Sequence, residues 1–188
     1  FYTDYSDIQV KIIDVVAPGT GNAAAGEVYG GELELSVLLT PDLLLQFGGG
    51  YLDTQYTGFD ADFDPAQGID KSDSFVNSPK WSLSGSLSYT LAAMEYGDLT
   101  FRGDWSFRSK VYNDAANNES IAQNSLHLFN AGVTFVTTDE DWQVAVQVRN
   151  ITDKTYLITG NEEYNGFGYT EGVYARPREW SLSVKRMF

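Results

Sequence analysis

The 188-residue chain contains no cysteine and a single histidine, so it has neither a disulfide framework nor a thiolate or histidine-rich metal site. Cationic side chains are also scarce. Lys and Arg total 12 against 26 Asp and Glu, a formal net charge of −14. Nucleic-acid phosphates need cationic partners, so nucleic acid is excluded as a partner. No run of about 18 apolar residues occurs, which excludes a transmembrane helix, and we expect no signal peptide within the chain.

Aromatic residues and glycine are abundant by contrast. The chain has 4 Trp, 12 Tyr and 11 Phe, which together make up 14% of the residues, beside 18 Gly and only 5 Pro. An acidic chain this rich in aromatic residues is not disordered. The composition instead indicates many strands joined by turns.

The hydrophobic pattern repeats every two residues, the period of a β-strand. In residues 81–91, large apolar residues or glycine occupy one face, and Ser or Thr occupies every position of the other. We predict eight strands and no helix. The segments that alternate are 2–13, 27–39, 43–55, 81–91, 98–110, 125–136, 141–150 and 179–188.

The predicted connections are long at one end of the strands and short at the other. Long connections are expected at about 14–26, 57–78 and 153–176, with one of middling length at 113–124. Short turns are expected at 40–42, 92–97 and 137–141. This pattern is typical of an antiparallel up-and-down barrel that spans an outer membrane, and the strands are long enough to cross a bilayer. The aromatic residues could equally form the core of a soluble sandwich or barrel, so both interpretations stay open here.

Four segments resemble, in order, sequences of the TonB-dependent outer-membrane receptors. They are Tyr5 to Val10 (YSDIQV), Tyr29 to Leu35 (YGGELEL), Val148 to Tyr156 (VRNITDKTY) and Ala175 to Leu182 (ARPREWSL), and the chain ends on Phe188. Each is weakly specific alone, but together they span most of the chain. The terminal strand also resembles the signal read by the barrel assembly machinery, although Arg186 stands where an aromatic residue is commoner. The residues assigned to that signal are Trp180, Leu182, Val184 and Phe188.

The resemblance implies an all-β fold in which about eight strands belong to a larger barrel, of about 22 strands, closed around an amino-terminal plug. Residues 1–188 would then be the carboxy-terminal segment of the barrel domain of a longer receptor in the outer membrane of a Gram-negative bacterium. The implied function is TonB-driven uptake of a scarce large solute, such as a ferric siderophore, cobalamin or an oligosaccharide. The implied partners are outer-membrane lipid, the plug and remaining strands, the TonB complex and the assembly machinery, with no cofactor.

Three groups of residues are candidates for sites. Aromatic residues in the last long connection suit capture of a bulky amphipathic ligand, or they pack that loop onto its neighbours. These residues are Tyr164, Phe167, Tyr169 and Tyr174. Arg102, Asp104 and Arg108 are expected to line the lumen, either as structural ion pairs or in contact with a charged solute. Asp60, Asp62 and Asp64 have the alternate spacing of calcium ligands, but the expected glycine and glutamate of an EF-hand are missing, so a solvated acidic loop is the simpler interpretation.

No catalytic group is predicted. The sequence has no nucleophile elbow, P-loop or dinucleotide-binding fingerprint, and His127 is expected as an interfacial ring on the lipid side. We therefore expect no enzyme. The alternatives to a receptor segment are an eight-stranded outer-membrane barrel that closes on itself, with an adhesive or structural role, and a soluble β-barrel binding module.

Overall fold

The computed structural model describes residues 1–13, 18–59 and 68–187. Within them lie ten strands, a one-turn 3-10 helix at Glu119–Ile121 and a four-residue helix, α1, at Tyr164–Phe167. The strands are β1 (Tyr2–Ile13), β2 (Pro18–Thr40), β3 (Leu43–Phe59), β4 (Trp81–Met94), β5 (Gly97–Arg108), β6 (Leu126–Thr137), β7 (Trp142–Arg149), β8 (Leu157–Glu163), β9 (Tyr169–Tyr174) and β10 (Glu179–Arg186). No helix of these residues is both long and apolar enough to cross a membrane.

Eight strands form one antiparallel sheet in the order β1-β2-β3-β4-β5-β6-β7-β10. These eight correspond to the predicted strands, so the all-β antiparallel fold is confirmed. The remaining two strands, β8 and β9, pair with each other and with no other strand of the described ranges, and they form a separate hairpin over residues 157–174. This hairpin lies within residues 153–176, which were predicted to be a long loop, so that prediction was wrong. Its own alternation is weak, because glycine stands at both members of the central pair, Gly160 and Gly172.

Two further expectations are corrected. Most of the predicted loop 14–26 is strand, because β2 begins at Pro18 and pairs with β1 on one side and, from Ala24, with β3 on the other. Its glycine and alanine residues gave no apolar alternation, yet a ladder needs only backbone N–H and C=O groups. The expectation of no helix also fails, although among the described residues only for α1 and the 3-10 turn at Glu119–Ile121.

The connections at one end of the sheet are short. Tight turns join β2 to β3 at Pro41–Asp42, β4 to β5 at Glu95–Tyr96, and β6 to β7 at residues 138–141. Gly97 follows one of them with φ +150°, and a Cβ there would lie 2.1 Å from the Val136 carbonyl oxygen, so glycine is required. The opposite end carries the longer segments 68–80 and 109–125 and the β8–β9 hairpin. The predicted up-and-down arrangement is confirmed.

The two faces of the sheet differ in chemistry, and the apolar face is uncovered. Leu33, Leu182 and Trp180 expose 62%, 70% and 71% of their surface. The buried apolar residues are few and include Val10, Tyr56 and Ile69, most of which lie beneath the longer segments rather than between two sheets. A soluble sandwich buries its apolar face against a second layer. The exposed apolar face is instead what a lipid-facing barrel wall presents.

The sheet does not close within the described residues. Strand β1 pairs only with β2, and β10 pairs only with β7, so each leaves one edge unpaired. An eight-stranded barrel would pair these two strands with each other. The self-closing eight-stranded alternative is therefore contradicted, and the open sheet fits part of a wider barrel.

Aromatic side chains form rows at both ends of the apolar face. Near the longer segments, the Tyr51 ring lies 4.8 Å from Trp81, and the Trp105 indole N–H donates to His127 Nδ1 at 3.1 Å. His127 thus lies on the apolar face in a ring stack, as expected. At the short-turn end, the Arg186 guanidinium lies over the Trp142 ring at 5.2 Å. Aromatic side chains towards the strand ends are typical of barrel walls that cross a membrane.

Candidate ligand-binding site

The longer segments form a packed layer above the sheet, which we call the outer layer and define as residues 68–80, 109–125 and 157–174. Its first cluster joins the ends of β1 and β3 to the segments 68–80 and 109–125. Val10, Tyr56, Ile69 and Ala115 are buried together there. Phe75 packs against the Tyr56 ring at 4.8 Å. Apolar burial therefore holds these segments in place, in contrast to the freely moving loops that their length suggests.

Asn117 connects the same two segments by hydrogen bonds. Its amide Nδ2 donates to the Ser74 carbonyl at 2.9 Å, and its Oδ1 accepts from the Ser74 backbone N–H at 3.0 Å. The Asn117 amide thus forms the same two hydrogen bonds with Ser74 that a backbone partner forms in a β-ladder. Asn117 has φ +51°, a left-handed conformation that Asn tolerates better than most residues. This position therefore suits Asn twice, by its side chain and by its backbone.

The second cluster of the outer layer joins the 3-10 turn to the β8–β9 hairpin. Ile121 is only 1% exposed and lies directly against Gly160, where an added Cβ would be 2.8 Å from the Ile121 Cβ. Ser120 Oγ donates to Glu162 at 2.5 Å, and the Leu157 N–H donates to Gln123 Oε1 at 2.6 Å. Segment 109–125 therefore contacts both clusters and ties the outer layer together.

Charged groups of the outer layer have shifted pKa values. Burial raises the pKa of the Asp73 carboxyl, and the Asp114 carboxylate raises it further, whereas the hydrogen bond from the Asp70 backbone N–H acts in the opposite direction. The Ser120 hydroxyl lowers the pKa of Glu162 by hydrogen-bonding its carboxylate, and the Thr170 hydroxyl adds to that effect. The two clusters therefore contain carboxyl groups whose pKa values are shifted in opposite directions.

The four predicted loop aromatics all lie on the hairpin or at its tip. Tyr164, Phe167, Tyr169 and Tyr174 expose 67%, 52%, 50% and 61% of their surface. Phe167 and Tyr169 lie 6.3 Å apart across Gly168, which ends α1 with φ +77°. The hairpin is anchored through Ile121 and Gly160 on its other residues, so the aromatic rings remain available on a held scaffold.

The predicted lumen charges separate into a pair and a single residue. Arg102 Nε donates to Asp104 Oδ1 at 2.9 Å, as expected for neighbours on the same face of a strand. Arg108 lies at the outer end of β5, donates Nη2 to the Leu157 carbonyl at 3.3 Å and lies 6.0 Å from the Tyr156 ring. Its Nε is buried and has no hydrogen-bond partner among the described residues. Arg108 therefore lies under the hairpin rather than in the pair.

The Arg102–Asp104 pair borders a cleft of about 500 Å³ on the polar face, with further polar residues that sequence reasoning missed. These residues are Asn130, Thr134, Gln147 and Arg149. The strand register contained the signal that locates them: Asp104 pairs with Asn130, and Gly132 pairs with both Arg102 and Gln147. Cross-strand partners point to the same face, so a register prediction would have collected these residues.

Two of the segments that resemble receptor sequences contact each other. Asn150 forms a turn by accepting from the Lys154 N–H at 2.9 Å and donating to the Lys154 carbonyl at 2.9 Å. Asp153 in that turn accepts from the Arg178 N–H at 2.8 Å. The turn thus places the start of β10 beside the end of β7, with the hairpin inserted between them in sequence.

The remaining predicted residues fall in two groups. Trp180, Leu182 and Val184 lie exposed on the apolar face of β10, while Phe188 lies outside the described residues. The calcium candidates Asp60, Asp62 and Asp64 also lie outside them. Among the residues that the structure does describe, no group of three or more His, Cys, Asp or Glu is placed to hold a metal ion.

The chain is similar to known receptor barrels. The family model described as "TonB dependent receptor-like, beta-barrel" matches residues 1–151. No curated protein is similar enough in sequence to count as a relative.

Solved structures show the same fold. The ferric yersiniabactin uptake receptor FyuA of Yersinia pestis matches with a TM-score of 0.78 at 17% identity, over 97% of this chain and 26% of that one. The siderophore receptor PiuA of Acinetobacter baumannii matches with a TM-score of 0.70 at 20% identity, over 97% and 24%. The ferric preacinetobactin receptor BauA of Acinetobacter baumannii matches with a TM-score of 0.64 at 22% identity, over 97% and 25%. The chain thus spans about a quarter of the length of these receptors.

Proposed function

The chain belongs to the TonB-dependent receptor-like β-barrel family, and from that premise we propose that it forms part of the wall and outer layer of an outer-membrane uptake receptor. The observation that carries the proposal is an open antiparallel sheet with one bare apolar face and one polar face, capped at one end by a packed outer layer. The remaining strands would pair with the free edges of β1 and β10. The polar face would then line a lumen that holds a plug.

We propose a ferric siderophore as the solute. One matching structure is named a siderophore receptor, and two are named receptors for ferric yersiniabactin and ferric preacinetobactin, which supports this class, although their low identity carries only the fold. The chemistry of this chain is compatible with such a ligand. The hairpin offers four exposed aromatic rings, and Arg108 beneath it is a half-buried cation whose Nε has no hydrogen-bond partner within the described residues. Aromatic surfaces and a cation suit a bulky anionic chelate.

The other partners follow from the same arrangement. We propose that a plug contacts the cleft beside Arg102 and Asp104, that the apolar face contacts lipid, and that the assembly machinery recognises β10. Energy would reach the receptor through the TonB complex, which contacts a part of the receptor outside this chain. Cobalamin and oligosaccharide remain the competing solutes.

Uptake measurements test the proposal. Cells that carry the complete receptor should accumulate radioactive iron from a ferric siderophore, and a protonophore should abolish this accumulation. Replacing Tyr164, Phe167, Tyr169 and Tyr174 together by alanine should weaken siderophore binding at least tenfold, since the few residues that dominate an interface are enriched in Tyr and Trp and cost about 2 kcal/mol or more when truncated. Tyr96→Ala is the matched control, because Tyr96 is 72% exposed at the opposite end of the sheet. Uptake of cobalamin or an oligosaccharide with no uptake of any siderophore would refute the choice of solute.

A further inference from the structure

The apolar face of the sheet carries a concave site. A notch of about 410 Å³ lies on this face, with Gly103 and Ala131 as its floor. Leu87, Phe101, Val148 and Trp180 stand around it. We call this site the notch. Its lining is almost entirely apolar, so it suits a hydrocarbon ligand rather than a polar solute.

The packing around Gly103, at the floor of the notch, does not require glycine. A Cβ added at Gly103 would meet nothing within 4 Å, so no close approach of another group excludes a side chain there. Glycine inside a strand weakens it. Gly85 on the neighbouring strand differs, because the Trp105 ring lies 3.4 Å from where its Cβ would be. At Gly103, the missing side chain only creates space.

The position of the notch across the membrane is the level at which an acyl chain ends. Trp180, at its wall, lies six residues before Arg186 on β10. Six residues at about 3.4 Å each span roughly 20 Å along the strand. Because barrel strands tilt by about 35–45°, this corresponds to roughly 15 Å of membrane depth. That is half of the hydrocarbon core of about 30 Å, so the notch lies near the bilayer midplane if Arg186 lies at the head-group level.

Arg186 is suited to that level. It is exposed on the apolar face at the short-turn end and lies over the Trp142 ring at 5.2 Å. Paired Trp and Arg side chains are typical of the membrane interface. Between this pair and the notch, β7 and β10 present apolar side chains on this face, namely the cross-strand partners Val144 and Val184, followed by Leu182. A cation, an apolar track and a terminal notch therefore follow one another over the depth of one leaflet.

We infer that this face binds one phospholipid of the periplasmic leaflet, with its phosphate at Arg186 and one acyl chain ending in the notch. The inference rests on the proposed function, because the short-turn end is periplasmic only in an outer-membrane barrel. A second copy of the receptor suits the site less well. Stable protein interfaces bury about 1,200–2,000 Å² in total, whereas the notch has room for a single slender group.

Native mass spectrometry of the complete receptor, extracted from outer membranes in mild detergent, tests this inference. The wild type should retain one phospholipid. Gly103→Leu fills the notch and should lower the retained fraction about tenfold, the change expected when two methylene groups of the chain lose their burial. Ala131→Leu fills it from the neighbouring strand and should act alike. Arg186→Gln should also lower retention, because it removes the phosphate partner.

Gly31→Leu is the matched control. Gly31 also lies on the apolar face with nothing within 4 Å of an added Cβ, but it lies outside the notch, so this variant should retain phospholipid like the wild type. Wild type without bound phospholipid, or equal retention in the Gly103 and Gly31 variants, overturns the inference. So does retained lipopolysaccharide, or a dimer that Gly103→Leu dissociates. A wild type that does not run as a heat-modifiable barrel in gel electrophoresis contradicts the proposed function instead.

Discussion

Truncating Ile121 to alanine should release the β8–β9 hairpin from the outer layer. Ile121 is 1% exposed and contacts Gly160 on β8. The change removes three carbon atoms, which at about 0.8 kcal/mol per buried methylene amounts to roughly 2.4 kcal/mol. The cavity left behind adds to this, and measured Ile→Ala changes in cores cost about 2–5 kcal/mol. A loss of about 3 kcal/mol is therefore expected for local opening of the hairpin.

Amide hydrogen exchange measures this loss directly. When opening and closing are fast, an exchange rate follows the free energy of local opening, so about 3 kcal/mol corresponds to a rise of roughly a hundredfold in peptides from residues 157–174. Exchange in β4 and β5 should not change, because Ile121 does not belong to the sheet. The effect is thus expected to be confined to the outer layer.

Ile158→Ala is the matched control. It makes the same substitution on the hairpin itself, but Ile158 is 56% exposed, so the expected change is below about 0.5 kcal/mol. If Ile121→Ala and Ile158→Ala accelerate exchange equally, or neither does, then Ile121 does not hold the hairpin. The idea of a fixed aromatic surface would then be refuted.

Three further changes test the outer layer by the same exchange measurement. Gly160→Ala should destabilise the hairpin by about 1–3 kcal/mol through overpacking, whereas Gly58→Ala, with open space around it, should not; equal effects would contradict the close approach. Asn117→Ala should loosen residues 68–80 by about 3 kcal/mol, from two hydrogen bonds of about 1 kcal/mol each and the strained φ, and Asn117→Gly should recover about 1 kcal/mol of that loss. Because the pKa of Asp73 is raised, its contribution to stability is present at low pH and is lost as the pH rises through its folded pKa. Asp73→Asn should therefore slow exchange of residues 68–80 at pH 7 and reduce the pH dependence of their opening free energy, which is obtained by dividing out the intrinsic exchange rate at each pH. An unchanged pH profile of this free energy would contradict this. The pKa of Glu162 is lowered, so the hairpin should respond in the opposite direction and loosen as the pH falls through its folded pKa.

The positions and faces of most strands were predictable from the sequence, because the polarity of each side chain indicates which face of the sheet it occupies. The alternation of residues 81–91 is visible without any knowledge of their neighbours, and β4 forms at Trp81–Met94. The segment 18–26 was missed for the converse reason. Its glycine and alanine residues carry no apolar signal, and its strand forms because the backbones of β1 and β3 are available to pair with it.

The candidate site was predictable only where partners are close in sequence. Arg102 and Asp104 are two residues apart on one strand, so their contact follows from the period of the strand. Arg108 contacts Leu157, 49 residues further along the chain, and Ile121 contacts Gly160 through a close approach that no local pattern encodes. These long-range contacts explain why Arg108 lies apart from Arg102 and Asp104. They also explain why residues 157–174 form an anchored hairpin instead of the predicted loop.

A cysteine cross-linking scan of the complete receptor tests most directly whether these eight strands are part of a wider barrel. Residues 1–188 contain no cysteine, and any cysteine elsewhere in the complete receptor is first replaced by serine, so that each disulfide comes from an introduced pair. The positive control is Ala145→Cys with Ser183→Cys, which are cross-strand partners on β7 and β10. The account predicts that this pair forms a disulfide on mild oxidation, while cysteines placed along β1 form none with Cys introduced on β10. A disulfide between β1 and β10 would mean that the eight strands close on themselves, and it would contradict the account.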